Sequence, residues 1–126
     1  MPSIPGRSIT VLIVEDDART ARTLGKMLVE DGFQIELAFD GAGAIARLGR
    51  GAVPDVLVVD YRLPHIDGLA VAAYARSLRA DVPVIILTSY PEVVAQAKSK
   101  LDPAPVIFSK PLVYSELMAE LSRLSA

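Results

Sequence analysis

The chain has 126 residues, of which 52% are hydrophobic and 22% are charged, and its formal net charge at pH 7 is −2. This length fits one domain, the composition is too apolar for a disordered chain, and the charge is too low for a nucleic-acid-binding surface. The absence of cysteine excludes disulfide bonds and thiolate metal sites.

Strand-like and helix-like segments alternate five times along the chain. Residues 1–7 have no hydrophobic signal core, so we expect a disordered lead-in and a cytoplasmic protein, with one domain over 8–126. Short β-branched runs predict strands at 10–14, 34–38, 56–60, 84–87 and 106–108. Apolar residues at helical spacing predict helices at 18–30, at 42–48, after Gly68, at 92–100 and from Tyr114 onward.

The helical spacing also predicts which side chains face the core. These residues are Ala21, Leu24, Met27 and Leu28 in the first helix; Val71, Ala75 and Leu78 in the third; Val93, Val94, Ala97 and Leu101 in the fourth; and Tyr114, Leu117, Met118, Leu121 and Leu124 in the fifth.

Five strand–helix units at this length predict an α/β fold, a doubly wound parallel sheet with right-handed crossovers. The expected strand order is 2-1-3-4-5, which makes the first and third strands neighbours. No stretch approaches the roughly 20 apolar residues that span a bilayer, so we expect no membrane association.

Polar side chains follow four of the predicted strands. They are Glu15-Asp16-Asp17, Asp60, Thr88-Ser89 and Ser109-Lys110-Pro111. The carboxyl ends of parallel strands meet at one edge of the sheet, which is where ligands bind in such folds. At ~5 Å and an effective dielectric of ~20, each pair of carboxylates repels by roughly 3 kcal/mol. A divalent cation with oxygen ligands is the partner that would offset this repulsion.

Each of these residues also has an ordinary structural interpretation. Asp17 is suited to capping the first helix, and Asp60 could cap a turn. Thr88 could bond to the backbone, and Lys110 could point into solvent. The functional interpretation rests on their joint position at the ends of four strands of one sheet.

Four motifs carry a resemblance to a known family. They are LIVEDD at 12–17, DVLVVDYRLP at 55–64 with Asp67-Gly68 after it, PVIILTS at 83–89 and FSKP at 108–111. In this order and at these separations the chain, from about Ser8 to Leu124, resembles the receiver domain of bacterial two-component response regulators. The resemblance implies a flavodoxin-like (βα)5 fold.

The resemblance also implies the site residues. Asp60 would be the phosphoacceptor, and Glu15 and Asp16 would be the acidic pair that holds Mg²⁺, or alternatively Mn²⁺. Asp16 would bind the ion directly and Glu15 through water, with the backbone carbonyl of Arg62 as a further ligand beside Asp60. Thr88 and Lys110 would each bind a phosphoryl oxygen, and the peptide bond before Pro111 would be cis.

Three positions bear on switching and on the lifetime of the phosphoryl group. Ile107 stands where the family usually carries an aromatic ring, and a β-branched side chain cannot swing as a ring does. We therefore expect a switch that depends on Thr88 instead. Arg62 and Tyr90 occupy positions that, in the family, flank the phosphoryl group and tune its hydrolysis.

The implied partners are a sensor histidine kinase or a histidine phosphotransfer protein, and a downstream target or fused domain that binds the face formed by the fourth helix, fifth strand and fifth helix. His65 lies in a Pro-Asp-Gly loop, so we expect an exposed residue and a donor on another protein. We expect a monomer or a phosphorylation-dependent dimer, with no nucleic-acid partner, and no enzyme beyond catalysis of its own phosphorylation and dephosphorylation.

Several alternatives stay open. The chain ends soon after the fifth helix, as a stand-alone regulator would, but it could also be the C-terminal receiver of a hybrid histidine kinase or part of a longer regulator. A non-phosphorylated interaction module with this fold is a further alternative. A nucleotide-binding loop is disfavoured because acids, not glycines, follow the first strand. A haloacid dehalogenase type of phosphatase is disfavoured because Arg62 stands where its second Asp is needed.

Overall fold

The computed structural model describes residues 8–97 and 101–125. Five strands and five helices alternate along the chain. The strands are β1 (Thr10–Val14), β2 (Gln34–Ala38), β3 (Val56–Asp60), β4 (Val84–Thr88) and β5 (Val106–Ser109). The helices are α1 (Ala18–Glu30), α2 (Gly41–Leu48), α3 (Gly68–Leu78), α4 (Pro91–Ala97) and α5 (Tyr114–Ser125).

All strand pairs are parallel and the order in the sheet is β2-β1-β3-β4-β5. The predicted fold class and strand order are therefore confirmed. β3 and β4 are buried at every position. Such strands form continuous β-branched and leucine runs because helices cover both faces of the sheet.

The alternation of side chains along each strand divides the core into two halves. Leu12 and Leu57 lie in a cluster with apolar residues of α2, α3 and α4, whereas Ile13 and Val58 lie in a cluster with residues of α1 and α5. The sheet is thus covered by three helices on one face and two on the other. This is the doubly wound arrangement that right-handed crossovers produce.

The strand register aligns the carboxyl ends of the central strands. Val14 pairs with Val59, so Glu15 and Asp60 are the next residues along two neighbouring strands. Asp60 pairs in turn with Leu87, the residue before Thr88. The register alone therefore brings the acidic and hydroxyl side chains to one edge of the sheet.

Aspartate side chains begin three of the helices at or near this edge. The carboxylates of Asp17, Asp40 and Asp67 accept hydrogen bonds from backbone N–H groups in the first turns of α1, α2 and α3. The predicted role of Asp17 as a cap is confirmed, whereas the sequence analysis did not assign the other two. A side-chain cap is typically worth ~1 kcal/mol.

Three predictions of inward-facing residues are wrong. Met27, Leu78 and Val93 are exposed by 37%, 44% and 47%. Each lies beside the centre of its helix's apolar stripe, and a neighbour, such as Leu28 or Val94, fills the core instead.

Two other predictions, the lead-in over 1–7 and the end of the fourth helix near residue 100, lie outside the described residues. Within the described part of the chain, no helix has the length and apolar character needed to cross a membrane.

Candidate functional site

An acidic cluster lies where β1 and β3 end. Glu15, Asp16 and Asp60 each offer a carboxylate oxygen, and these oxygens lie within 4.8 Å of one another. Asp60 and Glu15 are only 2% and 6% exposed, whereas Asp16 is open to solvent. Two buried carboxylates and one exposed carboxylate thus converge on a single point.

Lys110 is the basic residue that contacts this cluster. Its Nζ atom lies 2.9 Å from Asp60 Oδ2 and 3.7 Å from Glu15 Oε1. The backbone N–H of Lys110 donates to the carbonyl of Thr88 at 2.8 Å, and the Lys110–Pro111 peptide is cis. The hydrogen bond to Thr88 ties the end of β5 to the end of β4, and the ammonium group reaches from there to the end of β3.

The charges in this cluster do not balance. Burial raises the pKa of Asp60 above its ordinary value, and the hydrogen bond and positive charge of Lys110 offset this only in part. Among the described residues, Glu15 Oε2 and Asp60 Oδ1 are buried side-chain oxygens without a hydrogen-bond partner. Buried oxygens without a partner are costly, so these two atoms are suited to a ligand that brings positive charge.

The donor set fits a hard divalent cation. Ions such as Mg²⁺ prefer carboxylate and carbonyl oxygens, and one exposed acid leaves room for the waters that Mg²⁺ retains. The two unpartnered oxygens belong to residues of the acidic cluster, which supports the same conclusion. The predicted metal-binding residues Glu15, Asp16 and Asp60 are therefore brought together.

A pocket of about 240 Å³ lies beside Asp60. Thr88 is buried, and its Oγ1 accepts a hydrogen bond from the backbone N–H of Tyr90 at 2.9 Å. The pocket is lined by Asp16, Asp60, Arg62, Leu87, Thr88, Ser89, Tyr90 and Lys110. Six of the predicted site residues, Asp16, Asp60, Arg62, Thr88, Tyr90 and Lys110, thus surround one small cavity.

Gly68 contributes to this geometry through the absence of a side chain. Its N–H donates to the carbonyl of Tyr61 at 2.7 Å. A Cβ atom at this position would lie 2.2 Å from the carbonyl oxygen of Asp60. The sequence analysis quoted Asp67-Gly68 as part of a motif without giving the glycine a role. Its role is to let α3 begin directly against the backbone of Asp60.

Arg62 and Tyr90 contact each other, which the sequence analysis did not predict. The Cζ atom of Arg62 lies 5.4 Å from the centroid of the Tyr90 ring. Each residue follows a strand-end residue by two positions, Arg62 after Asp60 and Tyr90 after Thr88, on neighbouring strands. This equal offset on adjacent strands is the sequence signal that could have indicated the contact.

Glu15 and Pro111 line an adjoining pocket that shares Asp16, Asp60 and Lys110 with this one, whereas Ile107 and His65 lie elsewhere. Ile107 is half-buried against the core on the α2–α3–α4 side of the sheet and does not line the cavity. His65 is exposed, as expected, with a positive φ of 69°, and lines a separate groove with Phe39 and Ile66.

The chain is similar to known proteins over most of its length. Residues 11–122 match the response regulator receiver domain. The chain belongs to this family. The response regulator MprA of Mycobacterium bovis is 32% identical over 117 residues, which are 93% of this chain and 50% of that protein. The receiver chain therefore spans about half the length of the curated relatives it matches.

Solved receiver structures are similar over nearly the whole chain. A response regulator receiver protein from Sinorhizobium medicae is 28% identical with a TM-score of 0.83, and the match covers 94% of each chain. The response regulator TrrA of Thermotoga maritima, solved in complex with Mg²⁺ and BeF, is 26% identical with a TM-score of 0.80. That match covers 92% of this chain and 98% of TrrA. The resemblance inferred from the four motifs is confirmed.

Proposed function

We propose that Asp60 accepts a phosphoryl group from a phosphohistidine on a sensor histidine kinase or a histidine phosphotransfer protein. The observation that carries this proposal is the buried Asp60 carboxylate, which has one unpartnered oxygen, lies beside Glu15 and Asp16, and contacts Lys110 through its other oxygen. Membership of the receiver family supports the same role. We expect no turnover of a separate substrate.

Glu15, Asp16, Asp60 and the backbone carbonyl of Arg62 would hold a divalent cation, Mg²⁺ or Mn²⁺. The convergence of three carboxylates and the unpartnered oxygens of two of them support this assignment. The Mg²⁺–BeF complex of the related TrrA supports it as well. When bound, the ion would offset the negative charge of the carboxylates and of the incoming phosphoryl group.

Phosphoryl transfer then needs little more than positioning. A carboxylate oxygen of Asp60 forms a bond to phosphorus as the phosphorus–nitrogen bond of the donor breaks, and the electron pair stays on the imidazole nitrogen. Lys110 and the Thr88 hydroxyl would each bind a phosphoryl oxygen, which places positive charge and a hydrogen-bond donor where negative charge concentrates.

The output surface would be the face formed by α4, β5 and α5, bound by a downstream protein or a fused domain. Attraction of Thr88 to the phosphoryl group would move the loop that enters α4, because Tyr90 is bonded to the Thr88 hydroxyl. Ile107 packs against the core, so we propose that this movement proceeds without the rotation of an aromatic side chain at that position.

The experiment is a mass spectrum after incubation with Mg²⁺ and acetyl or carbamoyl phosphate. We expect uptake of one phosphoryl group per chain, with no uptake when Mg²⁺ is chelated before the donor is added and none in Asp60→Asn. Asp55→Asn is the matched control, because Asp55 precedes β3 at the end of the strand away from the cluster, and an asparagine oxygen can still accept from the Thr10 N–H. Equal uptake by Asp60→Asn would contradict the phosphoacceptor assignment, and uptake that survives chelation would contradict the metal role. No uptake at all would favour a non-phosphorylated interaction module.

A further inference from the structure

The contact between Arg62 and Tyr90 joins the two loops that border Asp60. Arg62 lies in the loop after β3, and Tyr90 lies in the loop between β4 and α4. The ring of Tyr90 faces the guanidinium of Arg62 at 5.4 Å, and Tyr90 is 51% exposed. A cation above an aromatic face at this distance is attracted to it even at an exposed site.

The backbone of Tyr90 connects this contact to two other parts of the molecule. Its N–H donates to Thr88 Oγ1 at 2.9 Å. Its carbonyl accepts from the N–H groups of Val93 and Val94, at 3.1 and 3.4 Å, which form the first turn of α4. A displacement of Tyr90 would therefore change both the position of the Thr88 hydroxyl and the start of α4.

Arg62 also lines the pocket into which a phosphoryl group on Asp60 would project. A phosphoryl group adds roughly 1.5 to 2 negative charges near neutral pH. Hydrogen bonds between a guanidinium and phosphoryl oxygens are stronger than an exposed contact between a cation and a ring. The ring and the phosphoryl group would thus compete for the same guanidinium, and the phosphoryl group would prevail.

We propose that Arg62 and Tyr90 are positioning residues for Thr88, and that their stack holds the β4–α4 loop in its unphosphorylated arrangement. Phosphorylation of Asp60 draws Arg62 off the ring and frees Tyr90 to move with Thr88. This inference rests on the proposed phosphoacceptor role of Asp60. It adds a second connection between Asp60 and α4, through a side chain of the β3–α3 loop.

The stack itself is tested in the unphosphorylated protein by NMR. In the wild type, ring currents should shift the Arg62 δ-methylene protons upfield, and Tyr90→Leu should abolish this shift while Tyr90→Phe keeps it. Amide exchange of Val93 and Val94 should be about twofold to fivefold faster in Arg62→Met and in Tyr90→Leu, with no further increase in the double variant. Arg50→Met, which removes an exposed arginine elsewhere, is the control and should leave these amides unchanged. If the increases in exchange rate from Arg62→Met and Tyr90→Leu add in the double variant, the stack is overturned. The same holds if Tyr90→Phe and Tyr90→Leu have the same effect on the Arg62 shift.

The release is tested by adding Mg²⁺ and beryllofluoride, with a bound ¹⁹F signal as the measure of occupancy. We expect the Arg62 upfield shift to disappear on binding, and Tyr90→Leu to bind beryllofluoride about twofold to fivefold more tightly than Tyr90→Phe, because no stack has to be broken. If the ¹⁹F signal shows bound beryllofluoride but the Arg62 shift is unchanged, the proposed release of Arg62 from the Tyr90 ring is overturned. Absence of a bound signal in the wild type would instead overturn the phosphoacceptor role, and the release with it, while the stack would still stand or fall by the exchange data.

Discussion

At the scale of single residues, the chemistry of this receiver domain is concentrated in a few atoms that the fold leaves unsatisfied. Asp60 is buried and its pKa is raised by that burial, although Lys110 donates to one of its oxygens. Its other oxygen and one oxygen of Glu15 have no partner among the described residues. The site is therefore suited to ligands that bring positive charge or donate a hydrogen bond.

The two neighbouring acids Asp16 and Asp17 should behave differently. Asp16→Asn should weaken Mg²⁺ binding strongly, because its carboxylate belongs to the acidic cluster. Asp17→Asn should have a smaller effect, because Asp17 accepts from the Thr20 N–H as the cap of α1 and asparagine caps helices equally well. A Mg²⁺ titration of both variants checks this. Equal losses, or a larger loss for Asp17→Asn, would move the metal-binding pair by one residue.

Arg62 and Tyr90 should also lengthen the life of the phosphoryl group. Both side chains line the pocket beside Asp60, where they would limit the access of an attacking water. The double variant Arg62→Ala with Tyr90→Ala should lose its phosphoryl group faster than the wild type after the donor is removed. The decay is followed by mass spectrometry, with Arg50→Ala as the control. Unchanged or slower decay would show that these side chains do not shield the site.

At the scale of elements, strand register and helix contacts decide which side chains meet. The register of β1, β3 and β4 brings Glu15, Asp60 and Thr88 to one edge of the sheet. On the face that carries α1 and α5, the hydroxyl of Tyr114 donates to Asp31 at 2.6 Å and so links the start of α5 to the end of α1. Burial, followed by this bond and the charge of Asp31, raises the pKa of Tyr114 above its ordinary value.

The raised pKa makes the contribution of Tyr114 to stability depend on pH. A free tyrosine ionises near pH ~10, so the stabilisation is complete below that pH and is lost as the pH rises from there towards the raised pKa of Tyr114 in the folded state. Tyr114→Phe should lower the free energy of unfolding by about 1 kcal/mol near neutral pH. The difference between wild type and variant should narrow above pH ~10.

Urea unfolding of the wild type and Tyr114→Phe at neutral and alkaline pH measures this difference. The comparison with Asp31→Asn is the control, because that variant keeps an acceptor but removes the charge that helps to raise the pKa of Tyr114. Its own loss of stability with rising pH should be smaller than that of the wild type. A difference between wild type and Tyr114→Phe that is independent of pH would contradict the assigned bond.

At the scale of the whole molecule, a parallel sheet collects the ends of its strands, and therefore their charges, at one edge. The repulsion among Glu15, Asp16 and Asp60 is a cost that the folded state bears and the unfolded chain largely escapes. The ligand that relieves this repulsion should also stabilise the whole domain, because it binds the folded chain and not the unfolded one.

Mg²⁺ should therefore raise the free energy of unfolding of the entire domain. At a concentration 100 times the dissociation constant, the increase should be about 2.7 kcal/mol. In Asp16→Asn most of this increase should be lost, whereas the metal-free stability should be equal to or above that of the wild type, because one repulsive charge is gone. Urea unfolding with Mg²⁺ and with a chelator checks both points. A stability of the wild type that does not respond to Mg²⁺ would contradict the metal site.

The sequence by itself determined the fold class and the residues at the strand ends, because apolar periodicity and strand-end chemistry are local properties that can be followed along the chain. The strand order followed from the doubly wound fold class, and it placed those residues at one carboxyl edge. The tertiary structure decided which of those side chains touch. Register and the packing of loops on neighbouring strands set the unpartnered oxygens of Glu15 and Asp60, the approach of Gly68 to Asp60 and the Arg62–Tyr90 stack. They also decided that Met27, Leu78 and Val93 face solvent, because a helix's apolar stripe is wider than the surface it packs against.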